Sequence, residues 1–191
     1  RPVRYVSWYD ALAYSEWLHQ KLIEISKETT SKNTFWEGIA SGKLKVTLPS
    51  EAEWEKASRS TDGRIYPWGN EFDLNKVNNS DTGIGTTSSV GCFPIGASPY
   101  GLQDMSGNIW EWTRSLWGKD YFDPEYIYPY NSDDKVRENL EAPKEILRVL
   151  RGGAFSGSSD VVRCAYRYWD NPNFRYIIGG FRVVVVPSSS S

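Results

Sequence analysis

The stretch from Asp62 to Tyr100 is rich in Gly, Pro, Asn and Ser and has neither a helical nor a strand period. An irregular segment of this length is uncommon inside a compact domain unless ions or large side chains organise it. Such side chains are abundant here, because aromatic residues make up 15% of the chain, with 9 Trp and 12 Tyr. Aromatic rings bury enough surface to fill space that regular elements would otherwise fill. We therefore predict one loop-rich domain, since 191 residues suffice for a full core.

Regular elements are predicted at a few places only. Ser7 with Asp10, and Ser50 with Glu53, have the spacing of capping boxes and predict the starts of two helices, with Trp54 on the buried side of the second. The first helix would bury an apolar stripe formed by Ala11, Tyr14, Leu18, Leu22 and Ile25. The segment from Ser26 to Lys43 is predicted to be an irregular loop. Strands are predicted at Lys45–Leu48, Ile109–Thr113, Leu147–Arg151 and Phe181–Val186, the last of them central in a sheet.

The composition excludes several classes of function. The 22 basic and 24 acidic residues give a net charge of -2, which offers no electrostatic basis for binding nucleic acid. No apolar run reaches membrane-spanning length. Cys92 and Cys164 are interpreted as buried thiols, with one disulfide as the alternative. They do not fix the compartment, although the cytoplasm is slightly favoured. Because the first residue is Arg1, we expect the chain to be part of a longer protein.

Two ordered-looking frames bound the most informative part of the chain. Arg148–Phe155 precedes, and Gly180–Val184 follows, about twenty-five residues that have no clear period. Small, aromatic and aliphatic residues are mixed between the frames in a way that no packed element requires. Irregular segments held by a rigid scaffold are where binding residues tend to lie. We therefore expect the functional surface between these frames.

Six motifs stand in the order typical of one known family: Val6–Ala11, Leu48–Trp54, Tyr66–Asn70, Tyr100–Trp112, Arg151–Gly153 and Gly180–Arg182. From Pro2 to Val184 the chain resembles the formylglycine-generating enzyme (sulfatase-modifying factor) family. The resemblance implies an α+β fold of the C-type lectin type, with two main helices and short twisted antiparallel strands. It implies one domain over residues 1–187 and a disordered tail at 188–191. The family's N-terminal strands are shortened or absent here, and we expect fusion to an N-terminal partner domain.

The family's known chemistries lack their residues in this chain. Enzymatic members use two cysteines after a Gly-Gly-Ser-aromatic motif to bind copper, and soft thiolates are what Cu(I) requires. Here Gly152–Phe155 is followed by Ser156–Asp160, without sulfur, and Cys164 matches a non-catalytic position. Another branch builds an iron site from several histidines, whereas this chain has only His19. We therefore predict no copper or iron site and no enzymatic activity.

The residues between the frames also share a genetic property. Most can be reached from an Asn codon by changing adenines alone, and Trp169 can be reached from an Arg codon in the same way. This resembles the variable proteins of diversity-generating retroelements, which implies a bacterial source, a variable region over about 151–184 and a diversified binding surface. Tyr168, Trp169, Phe174 and Tyr176 would be its anchors and Asp170 its polar specifier. The predicted ligand-binding residues are Ser156, Gly157, Ser158, Ser159, Asp160, Val161, Tyr168, Trp169, Asp170, Phe174, Tyr176, Ile177 and Ile178.

The nature of the ligand is less constrained. A protein ligand is favoured, and a glycan is an alternative that rests only on analogy with the fold name. Drift in a non-catalytic relative would leave a similar pattern, because most residue types can be reached from Asn. The alternative function is accordingly a catalytically inactive or uncharacterised regulatory domain of a larger protein.

The resemblance also implies a structural calcium ion. Asp104, Gly107, Ile109 and Glu111 match a family calcium site, in which two carboxylates and two carbonyls form an oxygen shell. The alternative is that Asp104 caps its turn and Glu111 pairs with an arginine. A second site would use Asn78, Asp81 and Ile84. Bound ions would help to order the irregular region, because metal binding contributes to folding free energy.

Overall fold

A computed structural model describes residues 1–30, 33–131 and 133–188. The helices are α1 (Trp8–Glu28), α2 (Thr34–Ala40) and α3 (Glu51–Arg59), and the strands are β1 (Leu44–Thr47), β2 (Trp110–Gly118), β3 (Leu147–Arg151), β4 (Tyr168–Asp170), β5 (Gly179–Phe181) and β6 (Val184–Pro187). The mixed α+β class predicted from the sequence is confirmed. Long irregular connections with short 3₁₀ turns join the elements.

Both predicted helix starts are confirmed, with complete capping boxes at Ser7 and Ser50. The buried face of α1 differs from the predicted stripe, because Trp8, Ala11 and Ser15 are buried while Tyr14 and Ile25 are 44% and 47% exposed. Hydrophobic periodicity cannot identify this face, because it includes the polar residue Ser15. The hydroxyl of Ser15 can be buried since it donates to the carbonyl of Ala11 at 2.9 Å.

The loop predicted from Ser26 to Lys43 is wrong. Helix α1 continues to Glu28, and the short helix α2 follows it. The side chain of Asn33 caps α2 by accepting the N–H of Trp36 at 3.0 Å. Asn is a favoured N-cap residue. Asn33 was therefore a local signal for a helix start, but the polar composition of the segment favoured a loop in the sequence analysis. The chain therefore has a third helix beyond the two that were predicted.

Two sheets carry the strands. One has the order β4-β3-β2-β5, and the other pairs β1 with β6. The pairs are antiparallel except β2 with β5, which is parallel and departs from the all-antiparallel prediction. The strand predicted at Phe181–Val186 is divided between the sheets, so its central position is wrong. Strand β5 ends at Phe181 and β6 begins at Val184. Arg182 lies between the two strands, and its side chain donates to Glu111.

Aromatic side chains organise the long irregular region, as the aromatic content of the chain predicted. Tyr66 stacks on Trp68 with ring centroids 5.2 Å apart, and Phe72 lies 5.5 Å from Tyr66. These rings pack with Val77 and Val162 in a cluster of their own. The main core lies between α1 and the four-stranded sheet and is built on Trp8, Ala11, Leu48, Trp110, Trp112, Leu150 and Ala154.

The C-terminal end of the described chain pairs with the smaller sheet. The N–H of Ser188 donates to the carbonyl of Lys43 at 2.8 Å, so the antiparallel pairing of β6 extends to this residue. The remaining residues of the predicted disordered tail, 189–191, lie outside the described residues. Among the described helices, none is both long enough and apolar enough to cross a bilayer.

Candidate ligand-binding surface

The first frame is anchored by Arg151, which is fully buried. Its guanidinium donates to Glu55 at 2.7 Å and to Glu51 at 3.3 Å, both on α3. The same group donates to the main-chain carbonyl of Cys164 at 2.7 Å and to that of Ala165 at 3.3 Å. A side chain of the frame therefore fixes the backbone of the irregular stretch to helix α3.

The two glycines of this frame have a steric role. Gly152 and Gly153 have φ angles of 95° and 75°, which L side chains rarely adopt. A Cβ on Gly153 would lie 2.9 Å from the carbonyl oxygen of Val161, and one on Gly152 would lie 3.1 Å from the Trp54 ring. The Gly-Gly pair therefore lets the irregular stretch pass directly over the end of β3.

The second frame is anchored by Arg182. Its guanidinium donates to the carboxylate of Glu111 at 2.7 Å and to the carbonyls of Gln103 and Asp104 at 3.2 Å. The indole of Trp54 donates to the same carboxylate at 2.7 Å. The arginines of both frames thus connect the C-terminal region to residues far away in the sequence.

The irregular stretch between the frames contains the two segments predicted to bind ligand, here called the first segment (Ser156–Val161) and the second segment (Tyr168–Ile178). Three donors hold the backbone of the first segment by its carbonyl oxygens. The N–H of Ser80 donates to Gly157 at 2.9 Å, the hydroxyl of Tyr66 to Ser159 at 3.3 Å, and Arg163 Nε to Asp160 at 2.7 Å. All three acceptors are main-chain atoms, so replacing the side chains of the first segment leaves these bonds in place.

The backbone of the second segment is held in the same way. The N–H of Trp110 donates to the carbonyl of Ile178 at 2.7 Å, and the N–H of Tyr5 donates to that of Tyr176 at 3.0 Å. A third bond joins the N–H of Trp8 to the carbonyl of Pro172 at 3.1 Å. The N-terminal residues therefore form part of the support for this segment.

The predicted ligand-binding residues divide into three groups by their packing and exposure. Four of them pack inward: Val161 and Ile178 lie against the main core, Asp170 is buried, and Gly157 has no room for a Cβ because the side chain of Val161 fills the space. Ser159 and Trp169 are half-buried. The exposed members are Ser156, Ser158, Asp160, Tyr168, Phe174, Tyr176 and Ile177.

An aromatic stack forms the centre of the second segment. The ring of Tyr168 stacks on Trp110, with centroids 4.9 Å apart and an angle of 25° between the rings, and on Trp169, at 5.5 Å and 9°. Tyr121 meets Trp169 edge-on at 4.7 Å, and the neighbouring Phe122 is 94% exposed. Sequence reasoning missed Tyr121 and Phe122. The available signal was a Tyr-Phe pair between the charged residues Asp120 and Asp123.

A small cavity of about 100 Å³ opens beside this stack. Its walls include Trp112, Leu150 and Ile178, together with the side chains of Asp170 and Tyr176. The carboxylate of Asp170 accepts the N–H of Asn171 at 2.7 Å, and the hydroxyl of Tyr176 lies close enough to lower the pKa of this carboxylate. Burial raises the pKa of Asp170, and the N–H of Asn171 and the hydroxyl of Tyr176 offset only part of this effect.

The positions of sulfur and imidazole do not support the family's known chemistries. Cys164 is buried, its sulfur accepts the hydroxyl of Ser58 at 2.9 Å, and burial raises its pKa to about 11. Cys92 is exposed, and so is not the buried thiol that was predicted, and His19 lies on α1. Within residues 1–30, 33–131 and 133–188, no group of three or more His, Cys, Asp or Glu side chains could hold a metal ion.

The residues matched to the main calcium site do not fit a calcium ion. Arg182 and Trp54 occupy the carboxylate of Glu111, so a guanidinium already supplies positive charge there. Asp104 accepts the N–H of Gly91 at 2.7 Å, and burial raises the pKa of Asp104. The carbonyl of Gly107 accepts the N–H of Ile109. The pairing of Glu111 with Arg182 agrees with the alternative that the sequence left open, whereas Asp104 bonds to Gly91 instead of capping its own turn.

The second predicted calcium position has more suitable chemistry. The side-chain oxygens of Asn78, Asn79 and Thr87 are buried and have no hydrogen-bond partner among the described residues. The carboxylate of Asp81 accepts the side-chain amide of Asn79 at 2.9 Å, whereas Ile84 is exposed. Unpaired amide and hydroxyl oxygens beside a carboxylate are hard donors of the kind that Ca²⁺ accepts.

Comparison with known proteins settles the family. The family model described as "Sulfatase-modifying factor enzyme 1-like domain" matches residues 1–186. The chain belongs to this family. Among solved structures, "Treponema denticola variable protein 1" has a TM-score of 0.69 at 24% identity, over 98% of this chain and 72% of that one. This likeness establishes that the two proteins share the sulfatase-modifying factor fold.

The relatives within the family have diverse names. "Serine/threonine-protein kinase pkn1" of Chlamydia pneumoniae is 31% identical over 95% of this chain and 23% of its own length. "Hercynine oxygenase" of Mycobacterium tuberculosis is 30% identical over 95% of this chain and 36% of its own. "Inactive C-alpha-formylglycine-generating enzyme 2" of Bos taurus is 29% identical over 83% of this chain and 40% of its own. The chain thus spans less than half the length of these relatives.

Proposed function

We propose that this chain is a non-enzymatic ligand-binding domain that displays a diversified surface, as the variable protein of a diversity-generating retroelement. One observation carries the proposal. The carbonyls of Gly157, Ser159, Asp160, Tyr176 and Ile178 hold the two segments in place, while most of the side chains at the predicted variable positions remain at the surface. Such a backbone tolerates many side chains at the exposed positions without refolding.

The residue types on the surface favour a protein ligand. Tyr and Trp supply large, rigid contact areas at low entropic cost, and Ser supplies adaptable hydrogen bonds. Phe174, Tyr176 and Ile177 are 49%, 38% and 43% exposed, and Phe122, next to the Tyr121 that packs on Trp169, is 94% exposed. Exposed apolar patches of this kind mark interaction sites. The likeness in fold to a Treponema denticola protein named as a variable protein agrees with this function.

A binding role also agrees with the chemistry of the two segments. Ser156–Asp160 occupies the place of the copper-binding cysteines and contains no sulfur. The nearest thiol, Cys164, is buried with a pKa raised to about 11, so it would supply little thiolate to a soft metal. The kinase and oxygenase names among the relatives belong to chains much longer than this one.

Sequencing the gene from many cells of one population tests the proposal. We expect substitutions confined to adenine positions in the codons of the two segments, together with a second, near-identical DNA copy of the 3′ end of the gene. The codons for Arg163, Cys164 and Ala165 lie between the two segments and are the internal control, which should stay constant. A uniform gene without such a copy would contradict the proposal.

A second candidate function is a catalytically inactive regulatory domain of a larger protein. The observation in its favour is that a protein kinase name is attached to a relative of which this chain covers 23%. Under this alternative the gene would be uniform and the exposed aromatics would contact another domain of the same chain, such as an N-terminal partner.

We also propose that the turn around Asn78 binds a structural calcium ion, through the unpaired oxygens of Asn78 and Asn79 and the carboxylate of Asp81. Thermal melting with calcium and with a chelator tests this. We expect calcium to raise the midpoint, and Asp81→Asn to remove most of the rise, whereas Asp104→Asn should keep it. An unchanged midpoint in the unsubstituted protein would contradict calcium binding.

A further inference from the structure

We propose that the cavity beside Tyr168 receives a lysine side chain of the partner protein, with its ammonium group against the carboxylate of Asp170. This inference rests on the proposed binding function and names the chemistry that one part of the surface recognises. It follows from a comparison of Asp170 with the other buried carboxylates of the domain, which are paired with arginines.

Three acidic residues are buried within the described parts of the chain: Glu51, Glu111 and Asp170. Glu51 accepts the guanidinium of Arg167 at 2.9 Å, and Glu111 accepts that of Arg182 at 2.7 Å. Asp170 has no cationic partner in any ion pair of the described residues. Buried charges in proteins are normally paired, because an unpaired one is costly. The missing cation can therefore be supplied by the ligand.

The hydrogen bonds of Asp170 leave room for such a cation. Its carboxylate accepts the N–H of Asn171 at 2.7 Å and lies near the hydroxyl of Tyr176, and neither group neutralises its charge. An ionised carboxylate has about four lone-pair sites, and these two donors occupy only part of them. An ammonium group with three donors would complete the set.

The walls of the cavity suit the aliphatic part of a lysine. Trp112, Leu150 and Ile178 line it, and its volume of about 100 Å³ accommodates a narrow unbranched chain. Lysine side chains pack their methylene stems along apolar surfaces while the ammonium group reaches a polar partner. The bulkier, planar guanidinium of arginine is the poorer fit for a site with one carboxylate, because arginine prefers bidentate partners.

The loop that packs against Trp169 is acidic on balance, because it exposes three carboxylates and one lysine, Lys119. Asp120, Asp123 and Glu125 are exposed on the loop whose Tyr121 packs against Trp169. Arg175, a basic residue of the second segment, is already paired with Asp10 at 2.8 Å. A partner surface that carries lysine would therefore approach a complementary field, which favours rapid association.

Asp170 is also one of the positions that an adenine-directed change can produce from Asn. With Asn at this position the cavity would be neutral, so one base change would switch the charge that it selects. Position 170 is therefore a specificity-determining residue of the surface, although its side chain is only 8% exposed.

Binding of n-butylammonium chloride, with 1-butanol as the neutral probe of the same length, tests the proposal. NMR signals of the Trp110 and Trp112 indoles and of the Asn171 and Gly179 amides report on the cavity. We expect saturable shifts with butylammonium, and at least tenfold weaker binding of butanol. Asp170→Asn should weaken butylammonium binding at least tenfold, whereas Asp160→Asn, which removes an exposed carboxylate of the first segment, should leave it unchanged.

The melting midpoint of Asp170→Asn verifies that this variant is folded. Equal binding of the two probes, undiminished binding of butylammonium to Asp170→Asn, or no saturable shift would each overturn the lysine assignment. None of these results would affect the diversified-surface proposal, because the gene sequences test that proposal independently.

Discussion

The main-chain N–H of Tyr5 donates to the carbonyl oxygen of Tyr176 at 3.0 Å, while the side chain of Tyr176 is 38% exposed. The bond holds the second segment without using any atom that distinguishes one residue type from another. The same holds for the bond from Trp110 to Ile178. Support by main-chain atoms separates the stability of the segment from the chemistry of its surface, and this separation has measurable consequences.

The neighbouring residues Ile177 and Ile178 are a matched pair for testing the separation. Ile177 is 43% exposed, whereas Ile178 packs against the main core. We expect Ile177→Ala to change the free energy of unfolding by less than about 0.5 kcal/mol. Ile178→Ala should cost about 2 kcal/mol, because it leaves a gap in packed surroundings. Urea denaturation measures both values, and equal costs would contradict the assignment of Ile177 to a free surface.

Gly157 and Val161 are expected to depend on each other. A Cβ at position 157 would clash with the side chain of Val161 and lie 3.3 Å from the carbonyl oxygen of Ala154. We expect Gly157→Ala to destabilise the fold by about 1–3 kcal/mol through overpacking. The double variant with Val161→Ala should be more stable than the sum of the single changes predicts, by at least about 0.5 kcal/mol.

Exposed Ser158 provides the control for this cycle. Ser158→Ala should stay within about 0.5 kcal/mol of the unsubstituted protein. Strict additivity of Gly157→Ala and Val161→Ala in denaturant titrations would show that the two positions vary independently.

Arg151 and Arg59 contact the same carboxylate, that of Glu55, in different surroundings. The side chain of Arg151 is fully buried and also holds the carbonyls of Cys164 and Ala165. Arg151→Met should cost about 3 kcal/mol, because it breaks a buried pair and leaves polar groups without partners. Arg59→Met should cost less than about 1 kcal/mol, since its side chain is 27% exposed and its ion pair is screened. A similar cost for the two changes, measured by chemical denaturation, would contradict this account of the frame.

Local signals in the sequence were sufficient for the helix starts and for β3. Capping boxes at Ser7 and Ser50 act within one turn, so they can be recognised without knowledge of the fold. The strand at Leu147–Arg151 was predicted with its observed bounds. The composition also indicated correctly that aromatic rings such as Tyr66 and Trp68 fill the irregular region.

Features that depend on distant contacts could not be predicted in this way. The buried face of α1 includes Ser15, which no hydrophobic pattern would select. Glu111 meets Arg182 across 71 positions of sequence, so one residue that was matched to a calcium site forms an ion pair here. The inward packing of Asp170 and Ile178 likewise depends on where β4 and β5 join the sheet. Codon patterns indicate which positions can vary, but exposure is a property of the fold.

The two thiols should differ in reactivity. Burial raises the pKa of Cys164 to about 11, and the thiolate is the reactive species, so this residue should react very slowly with a disulfide reagent at about pH 8. Cys92 is exposed and should react readily. We expect one thiol to be titrated in the folded protein and both in denaturant. In Cys92→Ser the folded protein should give almost no reaction, and fast labelling of this variant would contradict the burial of Cys164.

Asp170 and Asp10 should affect the stability of the fold in opposite directions as the pH changes. Burial raises the folded-state pKa of Asp170 above its ordinary value of 3.8, so its favourable contribution is present below pH 3.8 and is lost as the pH rises through the folded-state pKa. The guanidinium of Arg175 holds the pKa of Asp10 well below 3.8, so the contribution of Asp10 is present above pH 3.8 and is lost as the pH falls.

Relative to the unsubstituted protein, Asp170→Asn should therefore have its highest melting midpoint near neutral pH and lose this advantage on acidification. Asp10→Asn should be less stable near neutral pH and approach the unsubstituted protein in acid. Melting curves between neutral pH and about pH 3 distinguish the signs, and the same trend in both variants would mean that Asp170 is not an unpaired buried carboxylate.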